Sequence, residues 1–253
     1  MTAADKHPLV VRPYEPKDKA AVDRLAYQLF MVDSVEQLRD VLLEPRNIAG
    51  LSAFVLPLSF AVRSIARQYT SSIVSTLCGA GAGGAGFGYV YMLPKFEMEK
   101  FYRRALDTDM KNIKESYVDR PRSGWFVAED TSTNQVVGML GVRPVELIPE
   151  ALQDEGCIKD WDPKTTAQLQ HVCLDPAYRG KGVGYAMWNE ALKCVKSDKD
   201  YRRVMLYSST ATRNAVFNTY PRWSFKMKTQ TRPKAVPFFL SNYWMWEMVT
   251  EDF

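Results

Sequence analysis

The sequence predicts an α/β chain of the α+β type, with an apolar hairpin inserted near its N-terminus. Three observations predict it. Residues 169–174 form a strand-like apolar run that ends at Asp175-Pro176, passes through Arg179-Gly180-Lys181-Gly182-Val183-Gly184, and resumes as an apolar stripe at helical spacing over 185–195. Residues 123–129 and 136–142 read as two strands joined by the polar turn 130–134, the pattern of a β-hairpin. Between Arg46 and Lys95 the composition changes abruptly: 48–62 and 69–93 carry no charge, with Arg63 and Arg67 between them.

Size and composition bound the rest. The 253 residues suffice for one domain of ordinary core size plus an insertion. A hydrophobic content of 46% with 25% charged residues is globular. The net charge of +4 is spread along the chain, which suits an anionic cofactor or a membrane surface and argues against nucleic acid as a partner. Cys78, Cys157, Cys173 and Cys194 lack paired or metal-type spacing, and with only His7 and His171 available no metal site is expected. Reduced thiols facing the cytosol are the simplest reading. The polar N-terminus, with Asp5, Lys6 and two early prolines, does not read as a signal peptide.

In chain order, 9–14 reads as a strand and 17–30 as an amphipathic helix. Of the two uncharged runs, the second is long enough to span a bilayer and the first is marginal. Gly79, Gly81, Gly83, Gly84, Gly86 and Gly88 would let two helices approach closely in lipid. A strand and a helix precede the insertion and the remaining strands follow residue 120, so an insertion in one sheet must return to the side it left. A hairpin does this, with Arg63 and Arg67 snorkelling at its far tip. A buried apolar helix pair in a soluble protein is the alternative. Residues 96–117 have mostly helical spacing, 144–163 is an irregular excursion, 204–208 is a strand and 214–220 a short helix. Runs 225–231 and 243–249 close the sheet, the latter's Tyr243-Trp244-Met245-Trp246 suiting core packing or a membrane interface.

The glycine-rich turn carries the chemistry. A strand, a tight turn and a helix start make a nest of backbone N–H groups at the positive end of a helix dipole, a device for diphosphate. Glycines permit close approach, and Arg179 and Lys181 add positive charge. A dinucleotide-binding turn would place its glycines in the first strand–helix unit, with an acidic residue about 20 positions on. Here the turn comes late, and the basic stretch 199–203 precedes the next strand.

Arg179, Gly182 and Gly184 fit the pattern Arg/Gln-x-x-Gly-x-Gly/Ala, so the segment resembles motif A of the GNAT acetyltransferase superfamily. The resemblance implies a GNAT fold: a mixed, mostly antiparallel twisted sheet flanked by helices. The chain would be a single domain over 1–253, its core at 8–47 and 95–250 interrupted by a membrane hairpin at 48–93. Acetyl-CoA would be the co-substrate, with Arg179, Gly180, Lys181, Gly182, Val183 and Gly184 at the pyrophosphate and Val172, Cys173 and Leu174 along the pantetheine arm.

A nearer likeness rests on Asp107-Thr108-Asp109-Met110 with Ile113, Ser116 and Tyr117, on 125–129, on Val137-Gly138-Met139, and on Gln168-Leu169-x-His171 with Asp175. With the hydrophobic hairpin, these are similar to the camello-like membrane N-acetyltransferases, which include the cysteine S-conjugate N-acetyltransferase and N-acetylaspartate synthetase. That likeness implies transfer of acetyl to the amine of an amino acid, a cysteine conjugate or a protein lysine. It also implies an endoplasmic-reticulum membrane with the catalytic domain facing the cytosol. Oligomeric state is left open.

The resemblance also distributes roles. Gln168 stands at or near the family's glutamate, and glutamine cannot take a proton, so His171 is the first candidate base and Glu129 the second. Backbone N–H of Val172 or Leu174 would polarise the thioester carbonyl. Tyr220, opening Tyr220-Pro221-Arg222-Trp223-Ser224-Phe225, matches the family's Tyr-x-x-x-Gly-Phe, whose phenol protonates the coenzyme sulfur; Ser224 replaces the glycine. Asn214 is carried over as a cofactor contact, one place after Arg213, and Asp109 and Gln168 are assigned to the acceptor. Plain core packing is the alternative for His171 and Tyr220, and a solvated helix position for Asp109. An acetyl-CoA-binding scaffold without turnover, and an acyl chain other than acetyl, also remain open.

Overall fold

The computed structural model describes residues 9–145, 161–231 and 243–249; Cys157, His7 and most of the 144–163 excursion lie outside them. Seven strands, β1 Leu9–Pro13, β2 Gly124–Asp130, β3 Gln135–Pro144, β4 Thr166–Leu174, β5 Arg203–Ser209, β6 Lys226–Thr231 and β7 Tyr243–Val249, form one sheet in the order β1-β2-β3-β4-β5-β7-β6. All neighbours are antiparallel except β4 and β5. The helices are α1 Lys19–Tyr27, α2 Ser34–Leu42, α3 Pro45–Ala66, α4 Ser72–Asp107, α5 Val183–Ser197 and α6 Arg213–Asn218. Short π-helical turns occupy Gln28–Asp33 and Lys114–Val118.

Period-two alternation divides the strands between two cores. On β3, Val137, Leu140 and Val142 face α5, which buries Val183, Met187, Trp188, Ala191 and Val195 along one stripe. Val136 and Met139 face the other way, onto Val22, Leu25 and Ala26 of α1 and onto Met110, Ile113 and Tyr117. A third cluster joins Val35, Leu38 and Leu42 of α2 to Leu51 and Met98 at the bases of α3 and α4.

The β4–β5 pair makes the opening. Its parallel ladder runs only from Thr166–Gln168 on β4 to Arg203, Val204 and Met205 on β5. Beyond Gln168 the two strands share no further register pairs, and β4 carries an irregularity against β3 between Met139 and Gly141. His171 sits in that irregularity with φ 53°, a left-handed conformation in which a β-bulge re-aims a side chain.

β1 precedes α3 and α4 in sequence and pairs with β2, which follows them, so the helical hairpin returns to the side it leaves. The two helices pack along a stripe of small residues. A Cβ on Gly79 would lie 2.9 Å from Ser59 O and Arg63 Cβ, and one on Gly83 would lie 2.7 Å from Ser59 Oγ. Gly81, Gly84 and Gly88 face open space. The outward faces are apolar and bare: Phe54 is 73% exposed, Phe60 68% and Ile73 75%. Leucine at Gly79 should therefore prise the helices apart and cost about 1–3 kcal/mol. Leucine at Gly81 should be tolerated, and thermal unfolding in detergent of the two variants checks the difference.

The N-terminal and α4 segments differ from the sequence expectation. The helix expected over 17–30 continues through a π-helical turn into α2, and α4 runs unbroken from the apolar insertion to Asp107, past Pro94. Pro94 lacks only one donor, and a kinked helix is sustained when neighbours pack around it. The apolar hairpin and one wall of the β4–β5 opening are therefore one rod.

Candidate active site

The turn after β4 is built from backbone strain that only glycine relieves. Gly180 has φ 75° and Gly182 φ 82°, and Gly182 caps α5 in the left-handed conformation. The first N–H groups of a helix have no intrahelical acceptor and carry the positive end of its dipole. A Cβ built on Gly180 or Gly182 meets nothing within 4 Å, so the main chain is reachable from outside along both positions. Gly184 is different: its Cβ would press on Trp223 at 3.3 Å, which fixes α5 against the aromatic cluster. This cradle fits a diphosphate.

Its two cations have partners within the protein. The Arg179 guanidinium is ion-paired with Asp33 of the π-helical turn, and its Nε donates to Leu174 O at 3.1 Å. Lys181 Nζ stands 5.3 Å from the centre of the Tyr178 ring. Arg179 thus works as a strut between the turn and the Gln28–Asp33 segment.

Where β4 and β5 part, a cavity of about 220 Å³ opens between them and the end of α4. His171, Gln170 and Val172 reach it from β4, Tyr207 and Ser208 from β5, and Asp109, Met98 and Phe101 from α4 and its continuation. Tyr220 closes one end. Its phenol is pushed up to about 12 by burial, with the Ser208 hydrogen bond pulling slightly the other way. Trp223, Phe225 and Trp246 surround its ring with centroids 6.1–6.3 Å away. Pro221 begins the short 3-10 turn Tyr220–Trp223, and Ser224 ends it at φ 66°. That conformation explains why glycine suits this position, and serine holds it under strain.

Behind His171 lies a buried polar cluster. His171 Nε2 is 2.8 Å from Asp109 Oδ2, and the Tyr117 hydroxyl donates to the same oxygen. The Tyr117 oxygen is 2.9 Å from Gln170 Oε1, and Arg143 Nη2 is 3.7 Å from Asp109. Burial pushes the Asp109 pKa up, but the bond and charge of His171, the Tyr117 hydroxyl and the Arg143 cation outweigh it and hold the carboxyl below the usual range. Burial and the Asp109 charge push Tyr117 well above its ordinary value. The His171 ring stacks on Trp125 at 5.5 Å.

Several candidates do not line the cavity. Glu129 is held by Arg12 Nε at 2.6 Å on the β1 side of the sheet, and a carboxylate so paired is not presented to the cleft. Gln168 is fully buried at the closed end of the β4–β5 ladder. Asn214 is exposed, and its backbone N–H donates to Gln37 Oε1. Cys173 turns its side chain away, Sγ donating to Leu25 O. Arg143, Gln170 and Ser208 were not singled out from sequence, and Tyr117 entered only through the family likeness, without a role at the site. Only the strand alternation that places Gln170 two positions from Gln168 signals any of them.

The model of the acetyltransferase (GNAT) family matches residues 90–223, more than half of the chain. The chain belongs to this family of acetyltransferases. Rat N-acetyltransferase 8B is 30% identical over 128 residues, which is 51% of each chain, so the chain spans about half the length of that relative. Human N-acetyltransferase 8B is 26% identical over 226 residues, 88% of this chain and 87% of the human one. Mouse N-acetyltransferase family 8 member 3 is 26% identical over 227 residues with the same shares. An acetyltransferase of the GNAT family from Staphylococcus aureus Mu50 covers 95% of this chain and 98% of its own at 10% identity, with a TM-score of 0.49.

Proposed function

We propose that this protein is a membrane-anchored N-acetyltransferase that uses acetyl-CoA and acetylates the amine of an amino acid, a cysteine conjugate or a protein lysine. One observation carries the reading: β4, which leads into the reachable glycine turn at Gly180–Gly182, also lines a cleft that holds the His171 imidazole and a protonated phenol. Acetyl-CoA supplies an activated thioester. Backbone amides of Gly180, Gly182 and the first turn of α5 hold its diphosphate. The edge of β4 freed by the splay, from Val172 to Leu174, aligns the arm and offers an N–H to the carbonyl. His171 takes a proton from the amine, and Tyr220 Oη gives one to the departing sulfur.

The anchor reading rests on exposure and length. Helices α3 and α4 are both long and apolar enough to cross a membrane, and α3 with 22 residues is roughly 33 Å long at ~1.5 Å per residue. A core helix pair would not leave Phe54, Phe60, Ile73 and Leu77 bare. Arg63 lies near the tip with its guanidinium 5.9 Å from the Phe60 ring centre, a position from which it snorkels to the far headgroups. Likeness to the camello-like enzymes supports an endoplasmic-reticulum membrane with the catalytic domain in the cytosol.

The test uses full-length protein in detergent with acetyl-CoA and a panel of α-amino acids, cysteine S-conjugates and lysine peptides. Thermal stabilisation by acetyl-CoA together with CoA release on at least one amine is expected. Stabilisation without release on any amine would leave a coenzyme-binding scaffold, and neither would remove the reading altogether. Resistance of the protein to alkaline extraction from membranes checks the anchor.

A further inference from the structure

The cluster behind His171 has a directionality that packing does not require. An ionised carboxylate only accepts hydrogen bonds, so the proton in the 2.8 Å contact with Asp109 belongs to His171 Nε2. The lone pair of the neutral ring is then on Nδ1. Asp109 is itself held from two further sides, by the Tyr117 hydroxyl and by Arg143. Its carboxylate is thereby committed within the protein, although the sequence suggested it for the acceptor.

We propose that Asp109 is a positioning residue that fixes the tautomer and orientation of His171, so that Nδ1 is the base, with Tyr117 and Arg143 holding Asp109 in place. The proposal rests on the N-acetyltransferase reading and deepens it. The amine N–H bond breaks as Nδ1–H forms, and the charge that develops on the ring is met by Asp109 across the bond already present. One proton leaves nitrogen and one reaches sulfur from Tyr220, so the two residues reset by passing a proton between them through solvent. The groups facing His171 from the packed elements are Asp109 and Arg104 from α4 and its continuation, Tyr117 from the second π-helical turn, Arg143 from β3, Tyr207 from β5 and Tyr220. Arg143 lies 3.7 Å from Asp109 and offsets its charge, which keeps the carboxylate ionised. The ring is clamped on Trp125, which meets Tyr117 edge-on with centroids 4.8 Å apart.

Asp109→Asn removes the charge but keeps an oxygen that accepts from Nε2–H and from the Tyr117 hydroxyl, so the positive charge that develops on the ring is no longer met by an anion. The expected result is a fall in kcat of about 10²–10⁴, with acceptor KM and coenzyme affinity little changed. Nitrogen-15 spectra of the histidine ring in full-length protein should report the Nε2–H tautomer in the wild type and a loss of that preference in Asp109→Ala, which has no acceptor. Tyr117→Phe keeps the ring against Trp125 and removes one donor, and about a tenfold loss of kcat is expected. A wild-type ring protonated on Nδ1 overturns the proposal without any variant, and so does a loss in Asp109→Asn confined to acceptor KM. His171→Ala separates the two levels: if kcat and the acidic limb of its pH profile survive that change, the base role of His171 itself fails, whatever the tautomer.

Discussion

Gly182→Asp is expected to abolish acetyl-CoA binding, with the dissociation constant rising about a thousandfold or more. Two costs add. A residue with a Cβ at φ 82° is strained by about 1–3 kcal/mol, and Gly182 holds that angle as the cap of α5. A fixed negative charge about 5 Å from a diphosphate charge, at an effective dielectric near 20, repels it by about 3 kcal/mol. The new carboxylate would also accept from the same helix amides that the ligand needs. Gly182→Ala separates these effects: it carries the strain without the charge and should weaken binding only about tenfold. Calorimetric titration with acetyl-CoA reads both. An unchanged affinity in Gly182→Asp would remove the cradle from coenzyme binding.

Some of this was legible before any coordinates. The turn was readable because its physics is local: glycine spacing, a strand before it and a helix after it lie within some 25 residues of chain. The hairpin was readable for the same reason, since the uncharged runs 48–62 and 69–93 announce themselves by composition. Roles that depend on distant partners were not. Arg179 reads as a phosphate ligand, and its ion pair with Asp33, 146 positions away, had no local signal. Glu129 looked like a cleft carboxylate because it ends a strand, but Arg12 on the neighbouring strand claims it from 117 positions away. The Asp109–His171 contact spans 62 positions and depends on a bulge that reverses where one side chain points. Strand alternation alone predicts the opposite face from there on.

The strut role of Arg179 has a consequence for the cleft. Asp33 ends the π-helical turn that carries Leu29 and Phe30, both in the cavity wall. The glycine-rich turn and one wall of the cavity are therefore joined by an ion pair whose arginine is half-exposed. Such a pair contributes little to stability on its own. Its value here is geometric, because it seats the Gln28–Asp33 segment against the end of β4.

Tyr220→Phe should lower kcat by about 10²–10⁴ while leaving coenzyme affinity intact. The phenol is 7% exposed and lines the cleft, and burial has raised it to about 12, so it keeps its proton at neutral pH and can deliver it. Phenylalanine fills the same space among Trp223, Phe225 and Trp246, so the fold loses only the Ser208 hydrogen bond, worth about 1 kcal/mol. The sign of the pH effect follows. A folded-state pKa above the unfolded value of about 10 contributes stability that is complete below pH ~10 and is lost as pH rises toward the folded value of about 12. Wild-type protein should therefore lose thermal stability relative to Tyr220→Phe across that window, and the two should run parallel below it. A variant that keeps full turnover would show that the proton reaching the sulfur comes from elsewhere, and a phenol that is only core would still give the stability result, so the two measurements divide catalysis from packing.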